Sequence, residues 1–233
     1  ASGSCGGTLT ATIHFQDGST DLGDVIYTFI MGVAETNTAF SQNFDGVSVP
    51  TLPAGWTTTA SGGELPWVTS TANSSSPPND AYVPDTAAIG ETELVTPSIS
   101  IPTGTQRLTF RQVHNMENGF DGAVLEISIN SGPFQDIITA GGVFIVGGYD
   151  DPISSAFGNP LGGRLAWTGL SGGSVSNPAY ITTKVDLPPA AAGQSIQLKW
   201  RAGTDSTGVA TGSNGVRIDD IVIADAFFVC CGL

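Results

Sequence analysis

The chain has 233 residues, 40% hydrophobic and 12% charged, so it can bury a core and is not a disordered polymer. Its net charge of -14, from 7 Lys plus Arg against 21 Asp plus Glu, repels phosphate backbones and excludes nucleic acid as a partner. No apolar run approaches the ~20 residues of a membrane-spanning helix.

Glycine (31) and proline (14) are plentiful, Thr, Ser and Val fill the intervals, and no long helical periodicity is present. That mixture predicts an all-β chain of short strands and turns. The best helical candidate, DTAAIGETELV, is broken by Gly90. The opening ASGSCGG has the small residues that follow a signal-peptidase cut, which predicts a secreted, extracellular chain. The three cysteines, Cys5, Cys230 and Cys231, sit at the two ends and lack metal-binding spacing. In an oxidising compartment Cys5 can bridge to one of the other two and leave a thiol for pairing between chains; a free reduced thiol is the alternative.

Two alternating runs fill residues 8–32. In the first, Leu9, Ala11, Ile13 and Phe15 share a face opposite Thr8, Thr10, Thr12 and His14. In the second, Val25, Tyr27, Phe29 and Met31 oppose Ile26, Thr28 and Ile30, so this strand reads as apolar on both faces. Turns are expected at Asp17-Gly18 and at Gly23. A lone hairpin does not hold itself together in water, so it needs its own domain or a neighbour. If a neighbour supplies the cover, strand addition makes a homo-oligomer or, unless the contact closes, a filament.

After a polar connector, VAETNTA, the clearest strands are RLTFRQV, AVLEISIN, YITTKVDL, SIQLKWRA and GVRIDDIVIA. Ile196, Leu198 and Trp200 alternate with Gln197, Lys199 and Arg201, the pattern of two packed antiparallel sheets. Residues 57–86 and 139–178 read as long Gly/Ser/Pro-rich loops, a length that is usually functional or pinned. The expected organisation is an N-terminal strand arm over 1–33, a connector over 34–39, a β-sandwich over 40–229 and a cysteine-bearing tail over 230–233.

The series FSQNFDGVSVPTLPAGW, PWVTST, GFDGAVLEISINSGPFQDI, NPLGGRLAWTGLSGG and GVRIDDIVI resembles a bacterial extracellular jelly-roll family. It is the choice-of-anchor J type, related to MAM domains and cleaved-adhesin modules, and the resemblance covers about residues 40–224. Residues 9–32 resemble the closing strands of an immunoglobulin-like domain often found upstream. The resemblance implies a noncatalytic jelly-roll β-sandwich, frequently calcium-stabilised, with no particular ligand.

Among catalytic signals, Gly169-Leu170-Ser171-Gly172-Gly173 fits G-x-S-x-G, but a nucleophile elbow needs a following helix and none is in reach. His14 and His114 are the only candidate bases, and nothing selects a glycosidase carboxylate pair among 21 acids, so the chain reads as no enzyme.

Calcium is the stronger expectation, because hard cations take oxygen ligands gathered from several loops. Asp45 follows Phe44 where a strand meets a turn, and Asn79-Asp80 follows two prolines. Asp219-Asp220 interrupts an apolar strand; under straight alternation one of them faces the core, where a carboxylate must neutralise, pair with Arg201 or Arg217, or hold a metal. In related jelly rolls an acid of the first strand and one of the last approach a shared calcium beside a loop aspartate, which the resemblance carries onto Asp45, Asp219 and Asp80. This chain has Asp45 where MAM-type domains carry a glutamate. Asp121, in GFDG, is a candidate for a second site. Trp56 and Trp67 flank the proline-rich loop as candidates for a sugar-stacking platform, with packing against the prolines as the alternative. Two function classes follow: a self-associating structural or adhesive subunit, and a carbohydrate- or ligand-binding module.

Overall fold

A computed structural model describes residues 7–30, 33–208 and 215–229. The N-terminal strands are β1 (Thr8–Asp17), β2 (Thr20–Ile30) and β3 (Val33–Gln42). Next come β4 (Thr57–Gly62), β5 (Val68–Ser70), β6 (Asp80–Val83), β7 (Gly90–Val95) and β8 (Ile99–Ser100). The middle holds β9 (Arg107–Asn115), β10 (Gly122–Ile129), β11 (Gln135–Asp136), β12 (Val143–Val146), β13 (Asp151–Pro152) and β14 (Leu165–Thr168). Then follow β15 (Gly173–Ser174), β16 (Asn177–Pro178), β17 (Ile181–Asp186), a 3-10 turn at Pro189–Ala191, β18 (Ser195–Thr204) and β19 (Gly215–Val229). Among the described residues no helix is long and apolar enough to cross a membrane.

The chain divides into two compact units, Thr38–Ala224 and a smaller one of Ala1–Asn37 with Asp225–Leu233. The stretch read as a connector, residues 34–39, is part of β3, which pairs with β19. Its polar sequence forms a strand because β19 supplies backbone partners that propensity alone does not reveal.

The larger unit is a jelly-roll β-sandwich of two antiparallel sheets. One runs β13-β14-β10-β18-β7-β4, with β8 on β18 and β11 on β10; the other runs β12-β17-β9-β19-β6-β5. Alternation works as expected: Leu198 and Trp200 of β18, Leu125 and Ile127 of β10, and Leu108 and Phe110 of β9 all bury inward. Phe110 meets Trp200 and Trp167 edge-on, with ring centroids 5.4 and 5.9 Å apart. Each such side chain stabilises the fold by about 1.5–3 kcal/mol.

In the smaller unit, β1 and β2 form a hairpin whose two-residue turn is Gly18-Ser19, with Asp17 paired to Thr20. Gly23 makes no turn: at φ +91 it sits in a β-bulge, where Leu22 is the extra residue between the Phe15–Gly23 and Gln16–Asp21 pairs. The register sets Leu9 against Phe29, Ala11 against Tyr27 and Ile13 against Val25, which makes one face wholly apolar. On the other face Thr10 opposes Thr28, Thr12 opposes Ile26, and His14 lies 2.6 Å from Asp24. The reading of β2 as apolar on both faces is therefore corrected, since β1 brings polar partners to Ile26 and Thr28. Cys5, Cys230, Cys231 and Met31 lie outside the described residues.

Candidate functional site

Two loops at strand ends gather the carboxylates of Glu117, Asp121 and Asp205, with one oxygen of each within 4.8 Å of the others. Glu117 and Asp121 belong to the turn between β9 and β10, while Asp205 follows the last residue of β18. The turn is fixed from inside. Phe120 and Asp121 N–H groups donate to the Glu117 carbonyl at 3.1 and 3.0 Å. Thr168 Oγ1 accepts the Gly119 N–H at 2.8 Å and donates to the Asp121 carbonyl at 2.7 Å. Asp205 is tied in by its own N–H, which donates to Asp121 Oδ1 at 2.7 Å. Gly208 passes so close to Glu117 that a Cβ there would displace the carboxylate.

Charge is concentrated where water is scarce. Asp121 is fully buried and Asp205 nearly so. Asp121 Oδ2 and Glu117 Oε2 are buried and accept no hydrogen bond. Burial, and then the neighbouring Asp85 and Asp205 carboxylates, push Asp121 up from 3.8 to about 8, against the lowering effect of the Asp205 N–H. Burial, and then Asp205, also raise Glu117. Glu64 borders the same region, accepting hydrogen bonds from Thr204 and, at 2.9 Å, from Thr86. Three carboxylates this close ionise together only at a cost in free energy unless a counter-charge joins them.

A hard cation fits this donor set. Calcium binds oxygens at about 2.3–2.6 Å, so two of its ligands lie at most about 5 Å apart, and the cluster meets that limit. Glu117, Asp121 and Asp205 would hold the ion, and Asp85 stands beside Asp121. Sequence reading singled out Asp121 here but missed Glu117 and Asp205. Their only signal is position, an acid one to six residues from a strand end, which is common in any β-protein.

The other residues expected at a metal site do not converge. Asp45, Asp80 and Asp219 form no such cluster among the described residues, and protein donors engage each of them. Asp45 accepts the Asn79 N–H at 3.0 Å and the Asn43 side-chain amide at 2.6 Å. The Asn79 side-chain amide donates to the carbonyls of Phe44 and Val47 at 3.0 and 2.8 Å, which closes the loop over Asp45. Asp80 pairs with Arg217 at 2.8 Å and accepts the Tyr180 hydroxyl at 2.7 Å. Burial raises the Asp80 carboxyl even so, outweighing Arg217.

At Asp219-Asp220 a bulge replaces straight alternation: Asp219 pairs with Arg111 and Val222 with Thr109, leaving one residue extra. Asp220 takes φ 49, and Val216, Ile218, Ile221 and Ile223 then all face the core. Neither aspartate points inward, which corrects the expectation of one that does. Asp219 is buried instead beside the loop between β5 and β6, accepting the Ser75 and Ser76 N–H groups at 2.9 Å each, while Asp220 accepts the Ser76 hydroxyl at 2.6 Å. Burial lifts Asp219 to about 6 despite these donors.

Trp56 and Trp67 are core residues, which corrects their reading as a stacking platform. Trp56 stacks on Trp200 at 6.3 Å and meets Phe44 edge-on at 5.1 Å, and Trp67 is 1% exposed. Ser171 Oγ donates to the Ala179 carbonyl at 2.8 Å. The buried His114 ring lies 3.0 Å from Asp150 Oδ2, near enough for an ion pair but off the line of a hydrogen bond.

No family model matches the chain, and no curated protein matches it. Solved structures similar to it include one from a study of carbohydrate-binding modules of the β-sandwich superfamily: 14% identity, TM-score 0.49, 94% of this chain and 74% of that one. The K1 cleaved adhesin domain of Lys-gingipain from Porphyromonas gingivalis W83 is another, at 17% identity, TM-score 0.48, and 85% and 99% coverage. A xylan-binding domain from Paenibacillus barcinonensis matches at 10% identity and TM-score 0.37, over 87% of this chain and 98% of that one.

Proposed function

We propose that the chain is a noncatalytic, calcium-clamped binding module of an extracellular protein. The observation that supports this most is Asp121 Oδ2, a buried carboxylate oxygen without a donor, among acids from two loops. A cation there joins the end of β18 to the β9–β10 turn and holds the loop after Asp205. Extracellular modules bind calcium at about 10⁻⁴–10⁻³ M, and such a site fills only where calcium is abundant, which fits a secreted chain.

A catalytic role for the raised carboxyl is disfavoured by geometry. A general acid must reach the substrate atom it protonates, and Asp121 has no solvent-facing surface. Ser171 likewise spends its hydroxyl on a backbone carbonyl. Calorimetric titration of calcium into chelator-stripped protein tests the clamp. Saturable binding that Asp121→Asn and Glu117→Gln abolish supports it, whereas no heat and no change in melting temperature refute it.

One observation favours self-association as a second role. The hairpin face formed by Leu9, Ile13, Phe15, Val25, Tyr27 and Phe29 carries no charge, and each of these side chains is 38–53% exposed. A face of this kind calls for cover, and a second copy of the same face is self-complementary. Sedimentation velocity checks it: Ile13→Asp should shift an oligomer to monomer, and a chain already monomeric at high concentration removes this role.

A further inference from the structure

We propose that Asn159 is the positioning residue of the carboxylate cluster, and that calcium, acting through it, steadies the loop that presents Phe157. Asn159 lies between β13 and β14, outside the two loops that carry Glu117, Asp121 and Asp205. Its side chain is nearly buried, and its amide reaches both sides of the cluster. Nδ2 donates to the Phe120 carbonyl at 2.7 Å and to the Gly203 carbonyl at 2.8 Å. Oδ1 accepts the Leu161 N–H at 2.8 Å, so all three contacts agree on one orientation of the amide.

Phe120 immediately precedes Asp121, and Gly203 stands two residues before Asp205. One side chain therefore joins the backbones that aim Asp121 and Asp205. The strands beneath leave room for it. A Cβ on Gly203 would come within 2.7 Å of Asn159 Oδ1 and 3.0 Å of Leu161 Cγ, and one on Gly122 within 2.7 Å of Ile153 Cδ1. Gly122 and Gly203 are paired across β10 and β18, so the loop packs where both strands are bare. Leu161 and Ile153 bury there beside Val124 and Ala166, and the Ser154 N–H donates to the Gly119 carbonyl at 2.8 Å.

Carboxylates at this spacing repel one another, which drives the β9–β10 turn away from the end of β18. The Asn159 bonds resist that motion before an ion arrives, so less ordering is left for the ion to impose. Partners that orient metal ligands in this way change metal affinity by about 10–100-fold. Linkage runs in both directions: the loop favours the closed cluster, and an ion that closes the cluster favours the seated loop. That loop carries Phe157, 51% exposed, whose ring meets Phe120 edge-on at 5.4 Å. Calcium occupancy is thereby transmitted to an exposed aromatic side chain. The inference rests on the calcium reading and adds to it the regulation of a neighbouring surface loop.

The test is calorimetric titration of calcium into the chelator-stripped full chain, parent against Asn159→Ala. Chymotrypsin cleavage after Phe157, followed by mass spectrometry in chelator and in saturating calcium, accompanies it. Asn159→Ala keeps every carboxylate, yet its calcium Kd should rise at least about tenfold. In the parent, calcium should slow cleavage after Phe157 by at least about fivefold; in the variant, saturating calcium should leave the rate unchanged. Asn159→Ser, too short to reach both carbonyls, should behave in the same way and serves if Asn159→Ala does not fold. Leu108→Ala, a buried site at the end of β9 far from Glu117, lowers stability and should leave the calcium Kd unchanged. A parent that binds no calcium removes the calcium reading and this inference together. A parent that binds while Asn159→Ala binds as tightly leaves the reading standing and overturns the inference. So does a Kd that Leu108→Ala raises equally, or a parent cleavage rate that calcium does not change.

Discussion

Replacing Asp121 with asparagine should stabilise the protein in chelator, and calcium should remove most of that advantage. The side chain keeps its shape and an oxygen to accept the Asp205 N–H, now 2.7 Å from Asp121 Oδ1. Without a cation, the folded protein holds the Asp121 proton up to about pH 8, whereas the unfolded chain releases it near 3.8. The folded state thus binds more protons over that interval, and stability falls as pH rises through it. At pH 7 the gap to 3.8 is about 3 pH units, or about 4 kcal/mol at 1.36 kcal/mol per unit. Asp121→Asn removes that penalty, so in chelator the variant should be more stable than the parent by up to about 4 kcal/mol at pH 7, with the gain fading toward pH 4. In calcium most of that difference is cancelled. The parent gains about 2.7 kcal/mol at a hundredfold excess over Kd, and the variant, short of one ligand charge, gains little. Urea unfolding at pH 5 and pH 7, in chelator and in calcium, reads all of this. A variant less stable than the parent in chelator at pH 7 would show that burial does not penalise the ionised Asp121 carboxylate, and the reasoning would fail.

Arg217→Met should cost about 3–5 kcal/mol, because Asp80 is buried and keeps only the Tyr180 hydroxyl; adding Asp80→Asn should recover part of the loss in denaturant midpoints. Trp67→Ala should cost a similar ~3–5 kcal/mol in thermal unfolding and leave sugar titrations unchanged, the reverse of what a stacking residue does. Ser171→Ala should alter stability by no more than about 0.5 kcal/mol, since it removes one exposed hydrogen bond to Ala179, and any hydrolase activity lost with it would overturn the noncatalytic reading.

The sandwich was legible because period-two alternation survives in the strands that cross its centre. SIQLKWRA and AVLEISIN pair residue for residue, Ile196 with Ile129 through Gly203 with Gly122, and their inward sets are those the pattern names. Where a strand breaks period, the pattern misleads. At Asp219-Asp220 it placed an aspartate in the core, but the bulge inserts one residue and returns both flanking apolar runs to the same side. Nothing local marks that insertion, because Asp220 reaches its left-handed backbone without a glycine. The β3 strand was missed for a related reason: its partner, β19, lies almost two hundred residues away.

The carboxylate cluster was less legible still, and for a different reason. A metal site in a β-sandwich is assembled by strand order, and strand order is not written in any one segment. β10 lies beside β18, and that adjacency alone brings Asp121, just before β10, to Asp205, just after β18; Gly122 pairs with Gly203. The antiparallel register then sets the end of one strand against the beginning of the other. Sequence could nominate Asp121 from its setting between Phe120 and Gly122, but its partners become visible only once the pairing is known. The same logic separates the two acidic groups. Asp80 pairs with Arg217 of the neighbouring strand β19, and Asp219 accepts the Ser75 and Ser76 N–H groups, so protein donors absorb their charge. Among the described residues Glu117, Asp121 and Asp205 form no ion pair with an arginine or lysine; the Asp205 N–H serves Asp121 and the Thr207 N–H serves Asp205. Where the chain supplies donors or counter-charge an aspartate pins a loop, and where it withholds them the same residue type is left with an unmet charge.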